Sequence, residues 1–343
     1  MSSPVRTATI VTATIVVVIA AAAAAVASVR HYHSEAAAAQ AGEGSLPSQH
    51  VPTVVHASLP ATPASYLGVY EGSTLSTAQY AQVEQFAQAV GRQPNIVMYY
   101  SGWGEGFSVP FAQTALKYGA TLQIDIDPTN TSVASIAAGQ QDAFLQSYAN
   151  SVKIFGHPVI ISFGHEMNGD WYTWGWTQTS PAVFVAAWRH IVDVFRQFGA
   201  DNVTWMWTVN AVTDGEGPIA DYWPGKNYVT WTSFDAYYYN ASEDFTSVFQ
   251  PTVTAIRQLT NDPILIGETA IGQDAGQAAK IPGLFAGIAS SGLLGFIWYD
   301  QGQDSGTYHQ DWRLEGNSAA VAAFRASAQQ YLQQPPAPAT SSP

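Results

Sequence analysis

The chain has 343 residues and a net charge of -13 at pH 7, with only 12 Lys and Arg and no basic block, so a phosphate backbone is repelled and nucleic acid is excluded as a partner. The absence of cysteine removes disulfides, thiol catalysis and thiolate metal sites together. Eleven Trp and 17 Tyr are a heavy aromatic load, which serves either a dense core or a cleft that stacks against its ligand.

From Arg6 to Arg30 no charge interrupts a run of small and branched apolar residues. At ~1.5 Å per residue this run is long enough to cross hydrocarbon. The basic start and Ala25-Val26-Ala27 fit a cleaved export signal as well as a retained anchor, and both place the rest of the chain outside the cytoplasm, secreted or held on the outer face of the membrane. Residues 1–30 are therefore read as signal peptide or membrane anchor, the one expected membrane contact. Residues 31–64, mostly Ala, Ser, Gln, Gly and Pro without an apolar period, read as a flexible linker, and residues 333–343 as a disordered tail.

Between them, over residues 65–332, short apolar runs alternate with helical patterns. The predicted strands are Tyr66 to Tyr70, Ile96 to Tyr100, Thr121 to Ile126, Val159 to Phe163, Val203 to Thr208, Phe234 to Tyr238, Ile264 to Glu268 and Leu294 to Tyr299. Ser76 and Gln79 form a capping box ahead of Tyr80, Val83, Phe86 and Val90. Ser180-Pro181 opens a second helix with the stripe Phe184, Trp188, Ile191, Val192, Phe195 and Phe198. The stretch from Asn210 to Trp231 shows no long helix, so one repeat is degenerate. Eight strands alternating with helices predict an α/β fold, a single (β/α)8 TIM barrel. An open doubly wound sheet competes less well, because no strand leads into a Gly-rich phosphate loop.

In such a barrel, polar residues at strand C-termini converge on one mouth. Strand four ends in His165-Glu166-Met167-Asn168-Gly169-Asp170-Trp171-Tyr172-Thr173-Trp174, which joins a carboxyl, an imidazole and an amide to three rings. Strand six carries Asp235-Ala236-Tyr237, strand seven Gly267-Glu268-Thr269 and strand eight Trp298-Tyr299-Asp300. Apolar walls raise a carboxyl pKa and so keep an acid protonated near neutral pH, while the C-H faces of a pyranose lie flat on indole or phenol rings. Glycosidic cleavage needs both. A zinc-protease helix is excluded because the fifth position of the His-Glu motif is Gly169. Asp125 and Asp127, ahead of Pro128, read as turn caps, and Asp221 either lines the cleft or fixes a turn.

These motifs, with Asn202-Val203-Thr204-Trp205-Met206-Trp207, Asn210 and Tyr222-Trp223-Pro224-Gly225, resemble glycoside hydrolase family 26, the β-mannanase family of the (β/α)8 clan. The resemblance implies Glu166 as acid/base and Glu268 as nucleophile of a retaining, endo-acting hydrolase of β-1,4-mannan. It also implies substrate contacts from His165, Asn168, Trp171, Trp174, Trp207, Tyr237 and Trp298, with Tyr237 on the nucleophile and Trp171, Trp174 and Trp298 as sugar platforms. A monomer with no cofactor and no metal is expected, its partner a polysaccharide or oligosaccharide. Related enzymes act on mixed-linkage β-glucan and β-1,3-xylan, and a non-catalytic exported glycan-binding protein would use the same rings. Two positions depart from the family: Ser162 stands where arginine is frequent, and Ala270 where glycine is common.

Overall fold

Val159–Phe163 is buried at every position, as a parallel strand covered on both faces must be, and seven further strands are buried over most of their length. The structure, a computed structural model, describes residues 59–72, 77–213, 215–302 and 310–333, with residues 77–79 described by backbone alone. The expected export segment 1–30, most of the linker and residues 334–343 lie outside the described residues, as does Ser76 of the predicted capping box. Among the described residues no helix is long and apolar enough to cross a membrane.

The element order is β1 (Tyr66–Tyr70), α1 (Thr77–Val90), β2 (Ile96–Gly102), α2 (Val109–Lys117), β3 (Thr121–Asp127), α3 (Val133–Ala137), α4 (Asp142–Phe155), β4 (Val159–Phe163), α5 (Pro181–Gln197), β5 (Val203–Asn210), β6 (Trp231–Asp235), α6 (Phe245–Leu259), β7 (Ile264–Thr269), α7 (Gln277–Ser290), β8 (Gly295–Tyr299) and α8 (Ser318–Tyr331). The strands pair in sequence order, all parallel, and β8 closes on β1, giving the expected (β/α)8 barrel. The degenerate repeat is real: among the described residues only a 3-10 turn, Ile219–Tyr222, lies between β5 and β6. Strand β6 begins three residues before its expected place because Trp231 is drawn into the lumen, where its ring meets Tyr66 edge-on at 5.1 Å. Tyr237 consequently stands on the loop beyond the strand.

Strand alternation divides the barrel into two cores. Tyr66, Ile96, Met98, Ile160, Met206, Trp231, Leu265 and Ile297 plug the lumen, while Val97, Ile124, Ile161, Trp207, Phe296 and Trp298 face the helices. Helix α5 shows the outer layer's logic. Phe184, Trp188, Ile191, Val192 and Phe195 are all buried on its one apolar face, each contributing roughly 1.5–3 kcal/mol by leaving water. Ser180 occupies its cap position but makes no side-chain cap bond, so Pro181 alone sets its first turn. Residues 59–64, expected to close the flexible linker, instead pack on the barrel: Leu59 rests against the lumen cluster, Tyr66 donates to the Pro60 carbonyl at 2.7 Å, and Ala64 is buried.

Above the apolar plug the lumen turns polar. Gln123, Asp125, Ser162, Thr208, Ser233 and Asp235 are all buried there, directly beneath the mouth at the strand C-termini.

Candidate active site

The chain leaves β4 through Gly164 (φ 55°) and Glu166 (φ 54°), two left-handed residues in close succession. For glutamate this backbone is strained by of the order of 1 kcal/mol or more. It is held by the Glu166 amide donating to the Thr208 carbonyl at 3.1 Å and by the Gly169 amide donating to the Glu166 carbonyl at 2.9 Å. The resulting kink turns the Glu166 side chain into the mouth, where the Trp171 indole donates to its Oε2 at 3.0 Å. Burial pushes the Glu166 carboxyl up to about 7, with His165 holding it down and Glu268 adding to the rise.

Glu268 reaches the mouth by a different device. Leu265 and Gly267 face the lumen, so strict alternation would send Glu268 outward with Ile264 and Ile266. The register with β6 jumps between Phe234 and Asp235, and that with β8 between Ile266 and Thr269, so β7 holds a bulge around Gly267 that re-aims the glutamate. Only glycine fits there: a Cβ on residue 267 would lie 2.4 Å from Ser233 Oγ and 2.7 Å from Asp235 Oδ1. Glu268 accepts a phenol hydrogen bond at each oxygen, from Tyr100 at Oε1 and from Tyr237 at Oε2 (2.5 Å). Burial, and then the charge of Glu268, raises both phenols well above the usual tyrosine value, so both stay donors. Trp312 braces Tyr237, ring centroids 5.0 Å apart, and Tyr299 stands edge-on to it at 5.9 Å.

His165 is buried at the end of β4, on the side that faces β3 and β2. Its Nδ1 lies 3.0 Å from Asp127 Oδ1 and its Nε2 3.1 Å from the Tyr172 hydroxyl, while its ring is 5.3 Å from that of Tyr100. Burial opposes its charged form, but Asp127 overcomes this and the imidazole is held well above its usual value. Asp125 lies deeper, accepting from Gln123 Nε2 at 3.0 Å, and burial pushes it up to about 7. Neither Asp125 nor Asp127 is the turn cap expected from the sequence, because both have lumen parity on β3. Asp235 is also wholly buried, and burial followed by Glu268 raises it well above the carboxylate range.

The remaining expected contacts divide. Trp171 is half exposed on the rim and is free to take a sugar. Asn168 is wholly buried and its amide is committed: Oδ1 accepts from the Asn210 amide (2.8 Å), and Nδ2 donates to the Asn210 carbonyl (3.1 Å) and Glu216 Oε2 (2.9 Å). It ties the β4 loop to β5 and has nothing left for substrate. Trp174 is buried, stacked on Tyr172 at 4.3 Å, with its indole donating to the His165 carbonyl at 2.8 Å. Trp207 and Trp298 are on the outward face of their strands, sealed under helices, with Trp207 edge-on to Trp223 and Trp298 against Phe324. None of these three offers a face to a sugar. Asp221 is exposed in the 3-10 turn. Ser162 donates to Thr208 Oγ1 at 3.1 Å and brings no charge to the lumen, and Ala270 is buried with its carbonyl accepting from Tyr238.

Sequence reasoning passed over Tyr100, read Asp127 as a turn cap, and gave Tyr172 and Tyr299 no individual role. Parity could have found Tyr100, which follows Ile96 and Met98 at lumen positions of β2.

The sequence profile of Glycosyl hydrolase family 26 matches residues 126–288, a span that holds both glutamates. The chain is also 31% identical over 260 residues to Endoglucanase H of Acetivibrio thermocellus, covering 71% of this chain and 28% of that protein. The matched residues 126–288 belong to glycosyl hydrolase family 26. It is similar as well to Mannan endo-1,4-beta-mannosidase A and B of Caldalkalibacillus mannanilyticus, 29% identical over 96 residues, covering 26% of this chain and 17% of that protein. It thus spans well under two thirds of the length of either curated relative. Among solved structures, a Cellulomonas fimi endo-beta-1,4-mannanase double mutant superposes with a TM-score of 0.61 at 14% identity, over 77% of this chain and 70% of that one, which is a likeness of fold.

Proposed function

We propose that this chain is a retaining, endo-acting hydrolase of β-1,4-mannan, with Glu268 as nucleophile and Glu166 as acid/base. The observation that carries the reading is the asymmetry of the two carboxyls. Glu268 receives hydroxyl donors at both oxygens, the arrangement an anionic nucleophile needs, whereas burial raises Glu166 to about 7, where it can hold and return a proton.

In the first step a Glu268 oxygen bonds to the anomeric carbon as the glycosidic C-O bond breaks, and the Glu166 proton passes to the departing oxygen. In the second, Glu166 takes a proton from water, the water oxygen bonds to the anomeric carbon, and Glu268 leaves as carboxylate. The mechanism requires carboxyls roughly 5–5.5 Å apart, against roughly 6.5–9.5 Å for inversion. Trp171 supplies the sugar platform, and His165, fixed by Asp127 and Tyr172, orients the β4 loop. The mannan substrate is supported by the relatives and structural neighbours named as mannanases. A β-glucan is the second reading, favoured by Endoglucanase H, the relative matched over 71% of this chain. Export is supported by the uncharged run between Arg6 and Arg30.

Reducing-sugar release from mannan, glucomannan, mixed-linkage β-glucan and β-1,3-xylan, with the anomeric form of the first product followed by NMR, tests the reading. Release from mannan with retained configuration is expected. Binding without release from any polysaccharide would instead identify a glycan-binding protein.

A further inference from the structure

Away from the two glutamates, three more carboxyls meet where the barrel closes. Glu71 follows β1, Asp300 follows β8, and Glu315 precedes α8. One ligand oxygen from each lies within 4.8 Å of the others. The backbone fixes this meeting: the Asp300 amide donates to the Tyr70 carbonyl (3.0 Å), and Asp300 Oδ1 accepts from the Leu314 amide (2.9 Å) and from the Trp298 indole (3.2 Å). Glu71 and Asp300 are buried, with Glu71 only 8% exposed, whereas Glu315 is exposed. Glu71 Oε1 has no hydrogen-bond partner among the described residues.

Buried acids of this kind are satisfied either by shared protons or by a cation. The polar neighbours of the Glu71 carboxyl are the Asp300 and Glu315 carboxyls. A hard divalent ion takes carboxylate oxygens, and calcium binds them at ~2.3–2.6 Å, so two oxygens on opposite sides of it stand up to ~5 Å apart. Magnesium demands near-ideal octahedral geometry and gives up its water reluctantly, so a cage of protein carboxylates suits it less well.

We propose that Glu71, Asp300 and Glu315 hold a divalent cation of calcium type that clasps the β1 and β8 ends to the segment entering α8. Glu315 is the entry side, and the orphaned Glu71 oxygen is the inner ligand. The ion sits behind Tyr70 and Tyr299, whose rings stack at 4.9 Å, and so stiffens one wall of the mouth without touching either glutamate of the proposed mechanism.

The test is thermal unfolding of the full chain after chelation and dialysis, with CaCl2 or MgCl2 added back. At 5 mM CaCl2 a rise of about 5 °C is expected, the size that saturating a site of moderate affinity gives a domain of this length. One ion per chain should be titrated by calorimetry, and MgCl2 should do less. Glu315→Gln, at an exposed position, should fold, keep the chelated protein's melting temperature and lose the CaCl2 response. Glu71→Gln should also lose the response while melting no lower than the chelated parent, because it relieves repulsion. No CaCl2 response in the parent would overturn the proposal, as would an undiminished response in Glu315→Gln or an equal response to MgCl2.

Discussion

Tyr100, at lumen parity on β2, donates its phenol hydroxyl to Glu268 on β7, across the barrel and 168 residues away. With Tyr237 on the other oxygen, it fixes the rotation of the carboxylate and fills the lone pairs that do not attack. Tyr100→Phe and Tyr237→Phe are each expected to lower kcat/KM on mannan by about 10- to 100-fold, the loss of one hydrogen bond to a charged group in a water-poor site. Steady-state kinetics checks this, and an unchanged kcat/KM in both variants would remove the tyrosines from the reaction. Glu268→Ala should abolish turnover altogether.

The second expectation is a pH dependence set by Glu166. Its protonated form is the acid, so kcat/KM should fall on the basic side with a midpoint near pH 7. Stability should run the same way. Its folded-state pKa is raised from 4.5 to about 7, so the stabilisation is complete below the ordinary carboxyl value and is lost as pH rises through about 7. Glu166→Gln should therefore melt higher than the parent at pH 8, by up to roughly 3 kcal/mol, and little differently at pH 4. Equal melting curves at both pH values would contradict the burial argument.

Trp171 and Trp298 should separate cleanly. Trp171→Ala removes a rim platform and the donor to Glu166 Oε2, so KM should rise several-fold and the basic limb should move to higher pH, since that bond favours the charged form. Trp298→Ala opens a cavity under α8 and should cost about 3–5 kcal/mol of stability while leaving KM on mannan near the parent value. A KM defect in the second variant without loss of stability would place that ring back in the cleft.

Gly267→Ala is the smallest change expected to disable the site. The added methyl collides with Ser233 and Asp235, so relief must come from the bulge that aims Glu268. A loss of kcat of at least about 100-fold in a folded protein is expected, read by kinetics beside circular dichroism. Near-normal kcat would show that the bulge tolerates a side chain.

The alternation of apolar runs with helical stripes was enough to specify the barrel, because period-two and period-3.6 patterns are local and each repeat buries its own face. The same local signals marked His165-Glu166 and Glu268 as polar groups at strand ends, and the missing helix between β5 and β6 as a degenerate repeat. Which face of each strand meets the lumen was decided elsewhere. Trp207 and Trp298 sit beside motif residues in sequence, yet one step along a strand carries a side chain to the opposite face, beneath the helices. Glu268 has the same outward parity and reaches the mouth only because β7 bulges against β6 and β8. The joining of Asp127 to His165, of Tyr100 to Glu268 and of Glu71 to Asp300 likewise depends on barrel closure. Strand register and closure are cooperative properties of all eight strands, and no window of sequence contains them.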